Sequence, residues 1–158
     1  MAKFEAALLA WHYTTGENFE RIVTVGFLQP SAIDVQPSER PVLWFSLEQH
    51  WEPTACKAWD EGGRLRLLTM EETRERGRGL VRFGVASERL TPWPRIRAIA
   101  RIPPRIAQGL IRRAEEQGAS PHFWLGTTSA LPLEQIEAID VMEDSAWVRV
   151  RPKSASSL

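Results

Sequence analysis

Alternation opens the chain: across Leu8-Leu9-Ala10-Trp11-His12-Tyr13-Thr14 the pattern has period two, which predicts a strand. Leu8, Ala10, His12 and Thr14 then share one face, and Leu9, Trp11 and Tyr13 the other. Thr14-Thr15-Gly16-Glu17 has the spacing of a capping box, and Phe19, Ile22 and Val23 form the apolar stripe of a short helix that Gly26 terminates. Phe27-Leu28-Gln29-Pro30 leads into a polar loop. Pro41 to Ser46 reads as a second strand, with Val42, Trp44 and Ser46 on a common face. From His50 to Gly63 no period holds, which predicts a loop with a helical turn that folds over a cleft.

Arg64 to Leu68 reads as a short strand, and Thr69-Met70-Glu71-Glu72 as a second capping box that starts a polar helix ending at Gly77. Leu80 to Val85 alternates again, with Val81, Phe83 and Val85 apolar and Arg82 opposite them. Trp93 to Arg101 is expected to be extended. Pro103 or Pro104 occupies the first turn of the longest helix, in which Ile106, Leu110 and Ala114 recur until Gly118 stops it. Gln135 to Met142 and Ala146 to Val150 form a β-hairpin about Glu143-Asp144-Ser145. Strands outnumber helices and are joined by irregular connections. The expected class is therefore α+β, with split, bent, antiparallel-rich sheets and a few helices, rather than a doubly wound fold. Residues 1–152 read as a single domain, and 153–158 as a frayed tail.

Composition agrees with a packed domain: 43% hydrophobic and 25% charged residues lie near globular averages. The single cysteine, Cys56, closes no disulfide within the chain, and His12, His50 and His122 lack metal-ligand spacing, so neither a metal nor a disulfide framework is expected. No apolar run approaches the roughly 20 residues that cross a bilayer, and a cytoplasmic, membrane-free protein is expected. The balance of 20 basic and 20 acidic residues changes the picture once it is mapped along the chain. Arg74 to Arg113 holds eleven arginines against only Glu75 and Glu88, while both flanks are acidic. Such a block either pairs with the flanks on folding or meets a phosphate-rich partner, nucleic acid included.

Singly, each polar candidate has an ordinary explanation. His12 suits a hydrogen-bonded structural histidine, Thr14 an N-cap, Ser46 a strand end, Arg82 an ion pair and Glu137 an exposed strand position, while Trp44, Trp51 and Trp124 suit core or rim.

Their order adds a second reading. A strand bearing His12-Tyr13-Thr14, a capped helix running into Gly26-Phe27-Leu28-Gln29-Pro30, and a strand ending Leu43-Trp44-Phe45-Ser46 resemble the opening of ADP-ribosyltransferase-like proteins. Leu131 to Val141 is similar to a late strand in some of them, including bacterial members that modify nucleic acid and the related RNA 2′-phosphotransferases. The resemblance implies NAD as co-substrate in a cleft between two small sheets, and ADP-ribosyl transfer to a macromolecular acceptor. It implies that His12 and Thr14 position the nicotinamide ribose, Ser46 and Trp44 line the cleft, and Arg82 pairs with the diphosphate. Glu137, or Glu134 beside it, stabilises the ribosyl cation, and Trp51 and Glu52 belong to a lid that touches substrate. A non-catalytic relative that binds a nucleotide or protein partner in the same cleft is the alternative, and RNA 2′-phosphotransfer a further one.

Overall fold

In the computed structural model, which describes residues 8–33 and 35–152, seven strands form one antiparallel sheet. The first expected tail residues, from 153 onward, lie outside the described residues. In chain order the elements are β1 (Leu9–Thr15), α1 (Gly16–Val25), β2 (Phe27–Leu28), β3 (Leu43–Ser46), β4 (Ala58–Glu61), β5 (Arg64–Leu67), α2 (Met70–Arg76), β6 (Leu80–Ala86), β7 (Thr91–Pro92), α3 (Trp93–Ile99), α4 (Pro104–Glu116), β8 (Trp124–Thr127), β9 (Leu131–Pro132), β10 (Ala138–Glu143) and β11 (Ala146–Pro152). The sheet order is β11-β10-β6-β1-β3-β8-β7, with β2–β9 and β4–β5 as separate two-stranded ribbons. The antiparallel α+β class expected from the pattern is the one observed.

Alternation on β1 and β6 divides the core into two sides. Ala10, Val81, Phe83 and Val85 enter a cluster with Leu43, Phe45, Ile136 and Ile139, against which Phe19 and Ile22 of α1 pack. Trp11 and Tyr13 face the other way, with Trp51, Leu80, Ala138 and Met142. Each fully buried side chain of this size contributes roughly 1.5–3 kcal/mol. Gly84 lies under the Trp11 indole, where a Cβ would come within 2.7 Å of the ring. Only glycine lets Trp11 lie flat on the sheet at that point.

On this same side Arg82 is buried between two indoles, its guanidinium carbon 3.8 Å from the centre of Trp11 and 4.6 Å from that of Trp147. Its fork bonds Asp140 of the adjacent strand through Nε at 2.9 Å and Nη2 at 2.8 Å, and Nη1 donates to the Gln49 carbonyl. Arg149 donates to the other Asp140 oxygen. This cluster ties the loop after β3 to the sheet. It also keeps Tyr13 close: burial pushes the phenol up to about 12, with Arg82 opposing, so the hydroxyl stays protonated and donates to the Glu48 carbonyl.

Several local expectations are corrected. Thr15, not Thr14, caps α1, its Oγ1 accepting from Asn18 N at 3.3 Å, because β1 runs one residue further in register with β6. Trp93 to Ile99 is helical: Trp93, Ile96 and Ala100 fall at helical spacing and are buried together, and the prolines at its start suit a first turn. Between His50 and Gly63 the expected helical turn forms at Pro53–Ala55, but Ala58–Glu61, expected to be loop, is a strand that pairs with the expected strand β5 in a hairpin reversed at Gly62 and Gly63. Both glycines have positive φ, 64° and 88°, as a two-residue hairpin loop requires. Strand β8 was also not expected. On α4 the buried residues are Ala107 and Ala114, so its phase is shifted from the Ile106-based stripe. The second capping box, Thr69 with Glu72, forms as expected, and the Arg66 fork with the cap holds the Glu72 carboxyl down at about 2. No helix of the described residues is long and apolar enough to cross a membrane.

Candidate functional site

β1 pairs with β6 along all seven of its residues but meets β3 at a single position, Trp11 opposite Ser46. Beyond that bridge the backbone ladder stops. The His12 side chain takes over, its Nδ1 lying 2.8 Å from the Trp44 carbonyl. A carbonyl only accepts, so Nδ1 carries the proton and Nε2 keeps its lone pair, with no protein partner among the described residues. The imidazole sits against Phe45 and Phe83, at centroid distances of 5.8 and 6.5 Å.

Where the two strands part, a cavity of about 420 Å³ opens. His12, Tyr13, Trp44 and Ser46 line it from the sheet, Glu52 and Thr54 to Ala58 from the segment after β3, and Leu110, Arg113 and Gln117 from α4. Spacing explains the last three: positions i, i+3 and i+7 fall on one helical face. Trp124 completes the wall and packs edge-on against Trp93 at 5.3 Å and Trp44 at 6.1 Å.

Glu52 is the polar centre of the cavity. The residue is 6% exposed, and four donors hold its carboxylate. Ser46 Oγ donates to Oε2 at 2.7 Å; Oε1 accepts from Thr54 Oγ1 at 2.6 Å, Thr54 N at 3.3 Å and Trp124 Nε1 at 3.3 Å. The local sequence brings this about, since Glu52 is the N-cap of the turn that Pro53 begins. Among the described residues, no lysine, arginine or histidine forms an ion pair with Glu52. Protein dipoles solvate the carboxylate, and among the described residues no cation lies within ion-pair distance of it.

Cations stand elsewhere on the wall. Lys57 and Arg113 are exposed, and neither is in an ion pair among the described residues. Desolvation, followed by the Arg21 charge, holds the Lys57 ammonium below the ordinary lysine range. Gln117 Oε1 is buried with no partner among the described residues.

His12 itself is held below its ordinary value of 6.5, chiefly by desolvation, with the Trp44 hydrogen bond opposing and Lys57 adding to the fall. The sign of the linkage follows. Below 6.5 the unfolded chain binds a proton that the folded chain resists, so stability is lost as pH falls through that window, at no more than about 1.4 kcal/mol per pH unit. Urea midpoints of wild type and His12→Asn, compared between pH 7.5 and 5, are expected to converge on acidification. A difference that stays constant over this range contradicts a neutral, desolvated imidazole.

The structure brings His12, Trp44, Ser46 and Glu52 of the sequence candidates to one cavity. It does not bring the others. Thr14 is buried and accepts from Asn18 Nδ2 at 3.0 Å. Trp51 packs edge-on against Tyr13, with its Nε1 buried and unpartnered among the described residues. Arg82 does not line the cavity: its fork is engaged by Asp140 and the Gln49 carbonyl, and its guanidinium is buried against Trp11 and Trp147. Glu137 lies on the other side of β6 from β1, its carboxylate accepting from Ala86 N and 3.7 Å from Arg89 Nη1. His12 and Glu137 therefore do not face one another across the cavity. Glu134 is exposed.

Sequence reasoning missed Thr54, Lys57, Arg113 and Gln117. The helical spacing of Leu110, Arg113 and Gln117 was a usable signal; Lys57 had none. Neither a model of a known protein family, nor a curated protein, nor a solved structure matches the chain.

Proposed function

We propose that the cleft between β1 and β3 binds NAD and that the chain transfers the ADP-ribosyl group to a macromolecular acceptor, with Glu52 in the part the sequence resemblance gave to Glu137. In this reading the parting of β1 from β3 is the split of an ADP-ribosyltransferase-like fold. The observation that carries it is the buried Glu52 carboxylate, ringed by donors and in no ion pair among the described residues, in a cavity walled by Trp44 and Trp124. Such a group favours positive charge brought or developed beside it, because its dipoles are already oriented and need not reorganise. The nicotinamide ring of NAD is a planar cation, and aromatic faces add to its attraction.

When the bond between nicotinamide and ribose breaks, its electron pair leaves with the nicotinamide nitrogen and positive charge spreads over the ribose. Glu52 opposes that charge, Ser46 holds Glu52 in place, and His12 Nε2 accepts from a ribose hydroxyl. Lys57 and Arg113, at the edge of the cavity, supply the cations a diphosphate needs. An acceptor nucleophile then bonds to the ribose carbon and loses its proton. Volume is no obstacle to the nicotinamide end, since about 420 Å³ lies within the range of small-molecule sites.

A second reading, binding without turnover, is favoured by a separate observation: both Glu52 oxygens are already engaged by protein donors, and Glu137 is outside the cavity. RNA 2′-phosphotransfer needs several basic residues converging on a phosphate, and Arg82, which would head such a group, is outside the cavity. Calorimetric titration with NAD and chromatographic assay of free nicotinamide separate these readings. Binding with nicotinamide release supports transfer; binding without release supports the second reading; no binding at about millimolar NAD, a weak limit for any specific ligand, overturns transfer and leaves the second reading only with a different nucleotide or a protein partner.

A further inference from the structure

Between Arg89 and Arg113 the chain carries seven arginines and no aspartate or glutamate. Folding consumes little of this charge. Arg89 reaches Gln135 and Glu137, but among the described residues Arg95, Arg97, Arg101, Arg105, Arg112 and Arg113 make no ion pair. The reason is geometric. α3 and α4 bury Trp93, Ile96, Ala100, Ala107 and Ala114 in one cluster with Val42 and Trp124, which turns the intervening arginines outward. All six are exposed except Arg97, which is half-buried. Arg40 joins them, because its backbone N–H bonds the Ala100 carbonyl at 2.8 Å where α3 ends. The opposing carboxylates on the two helices are Glu115 and Glu116, in the last turn of α4.

Beside this surface the turn Pro121–Phe123 packs on α3 and leaves Phe123 42% exposed, immediately before Trp124 of the cavity wall. We propose that the outer surface of α3 and α4 binds single-stranded nucleic acid, with arginine forks on the phosphates and Phe123 offering its face to an unpaired base. Planar forks suit phosphate oxygens, and a stacking ring serves only a base that is not already stacked in a duplex. Arg113, which also lines the cavity, places the strand at the mouth of the cleft. The proposal stands apart from the NAD reading: oligonucleotide binding reports on the helices, nicotinamide release on the cleft.

Fluorescence anisotropy of the full chain with a labelled single strand of about 20 nucleotides, across a salt series, tests it. Three to six phosphate contacts give a slope of log affinity against log salt of about −2 to −4. The double variant R105E/R112E is expected to lose at least about tenfold in affinity and to flatten the slope, since two phosphate contacts go. Phe123→Ala is expected to lose about fivefold or more for the single strand while leaving a duplex of the same sequence unaffected. Arg64→Glu, at the turn end of the β4–β5 hairpin and outside α3 and α4, is the control that changes neither. Circular dichroism melting confirms that the variants are folded. Binding without salt dependence, equal loss with Arg64→Glu, or preference for duplex, anionic vesicles or an acidic peptide overturns the proposal.

Discussion

Asp140→Ala is expected to destabilise the fold by about 3–5 kcal/mol, read as a fall in the urea midpoint at neutral pH. The Asp140 side chain is 3% exposed and that of Arg82 10%, so removing the carboxylate leaves a guanidinium in an environment without water to replace its partner. Arg149 does not compensate, because its own side chain is 44% exposed and returns to solvent when its acceptor is gone. The loss is not the value of the ion pair itself, which the desolvation of both charges largely offsets. It is the cost of an orphaned charge. The double variant Asp140→Leu with Arg82→Met is therefore expected to recover part of the stability lost in Asp140→Ala. Full recovery is not expected, since Arg82 also holds the Gln49 carbonyl and stacks on Trp11 and Trp147. A single variant that loses less than about 1 kcal/mol, the range of exposed pairs, contradicts the cluster as described.

Glu52→Gln is expected to lower nicotinamide release at least about a hundredfold, the scale seen when one preorganised electrostatic partner of a transition state is removed. Glutamine keeps the shape and one acceptor oxygen, so the thermal midpoint should change little beside the rate. Ser46→Ala, which leaves the carboxylate in place but frees Oε2, is expected to cost less, about tenfold, as one hydrogen bond to a charged group is worth roughly 1.5–3 kcal/mol at most. Glu137→Gln should leave turnover unchanged, because its carboxylate is engaged by Ala86 N and lies near Arg89, beyond β6. Steady-state release of nicotinamide by all three variants decides between the two carboxylates. Loss of activity in Glu137→Gln with activity kept in Glu52→Gln would reverse the assignment made here.

How much of this was legible depends on the range of the forces involved. The Thr69–Glu72 box, the αL glycine at Gly26 and the hairpin at Asp144 and Ser145 are set by residues within four positions of each other, and local pattern found them. Trp93 to Ile99, expected to be extended, is helical because Trp93 and Ile96 are drawn into a tryptophan cluster, and the proline near its start fits a first turn. Of the cavity, His12, Trp44, Ser46 and Glu52 were visible as polar or aromatic residues in and after alternating strands. Arg113 and Gln117 share a helical face that spacing alone reveals, but that this face meets the cavity depends on how α4 packs some seventy residues after Ser46.

From the sequence alone came the α+β class, the two faces of β1 and β6, and the segregation of arginine into one block, all consequences of periodicity and composition. Tertiary structure decided which charges remain available. Arg82 and Glu137 are spent on partners that strand pairing sets beside them, whereas Glu52 is left with dipoles and, among the described residues, no ion-pair partner. Whether a charged side chain is a structural tie or a free chemical group depends on what lies within a few ångströms of it, and contacts made across tens of residues appear only once the chain has folded.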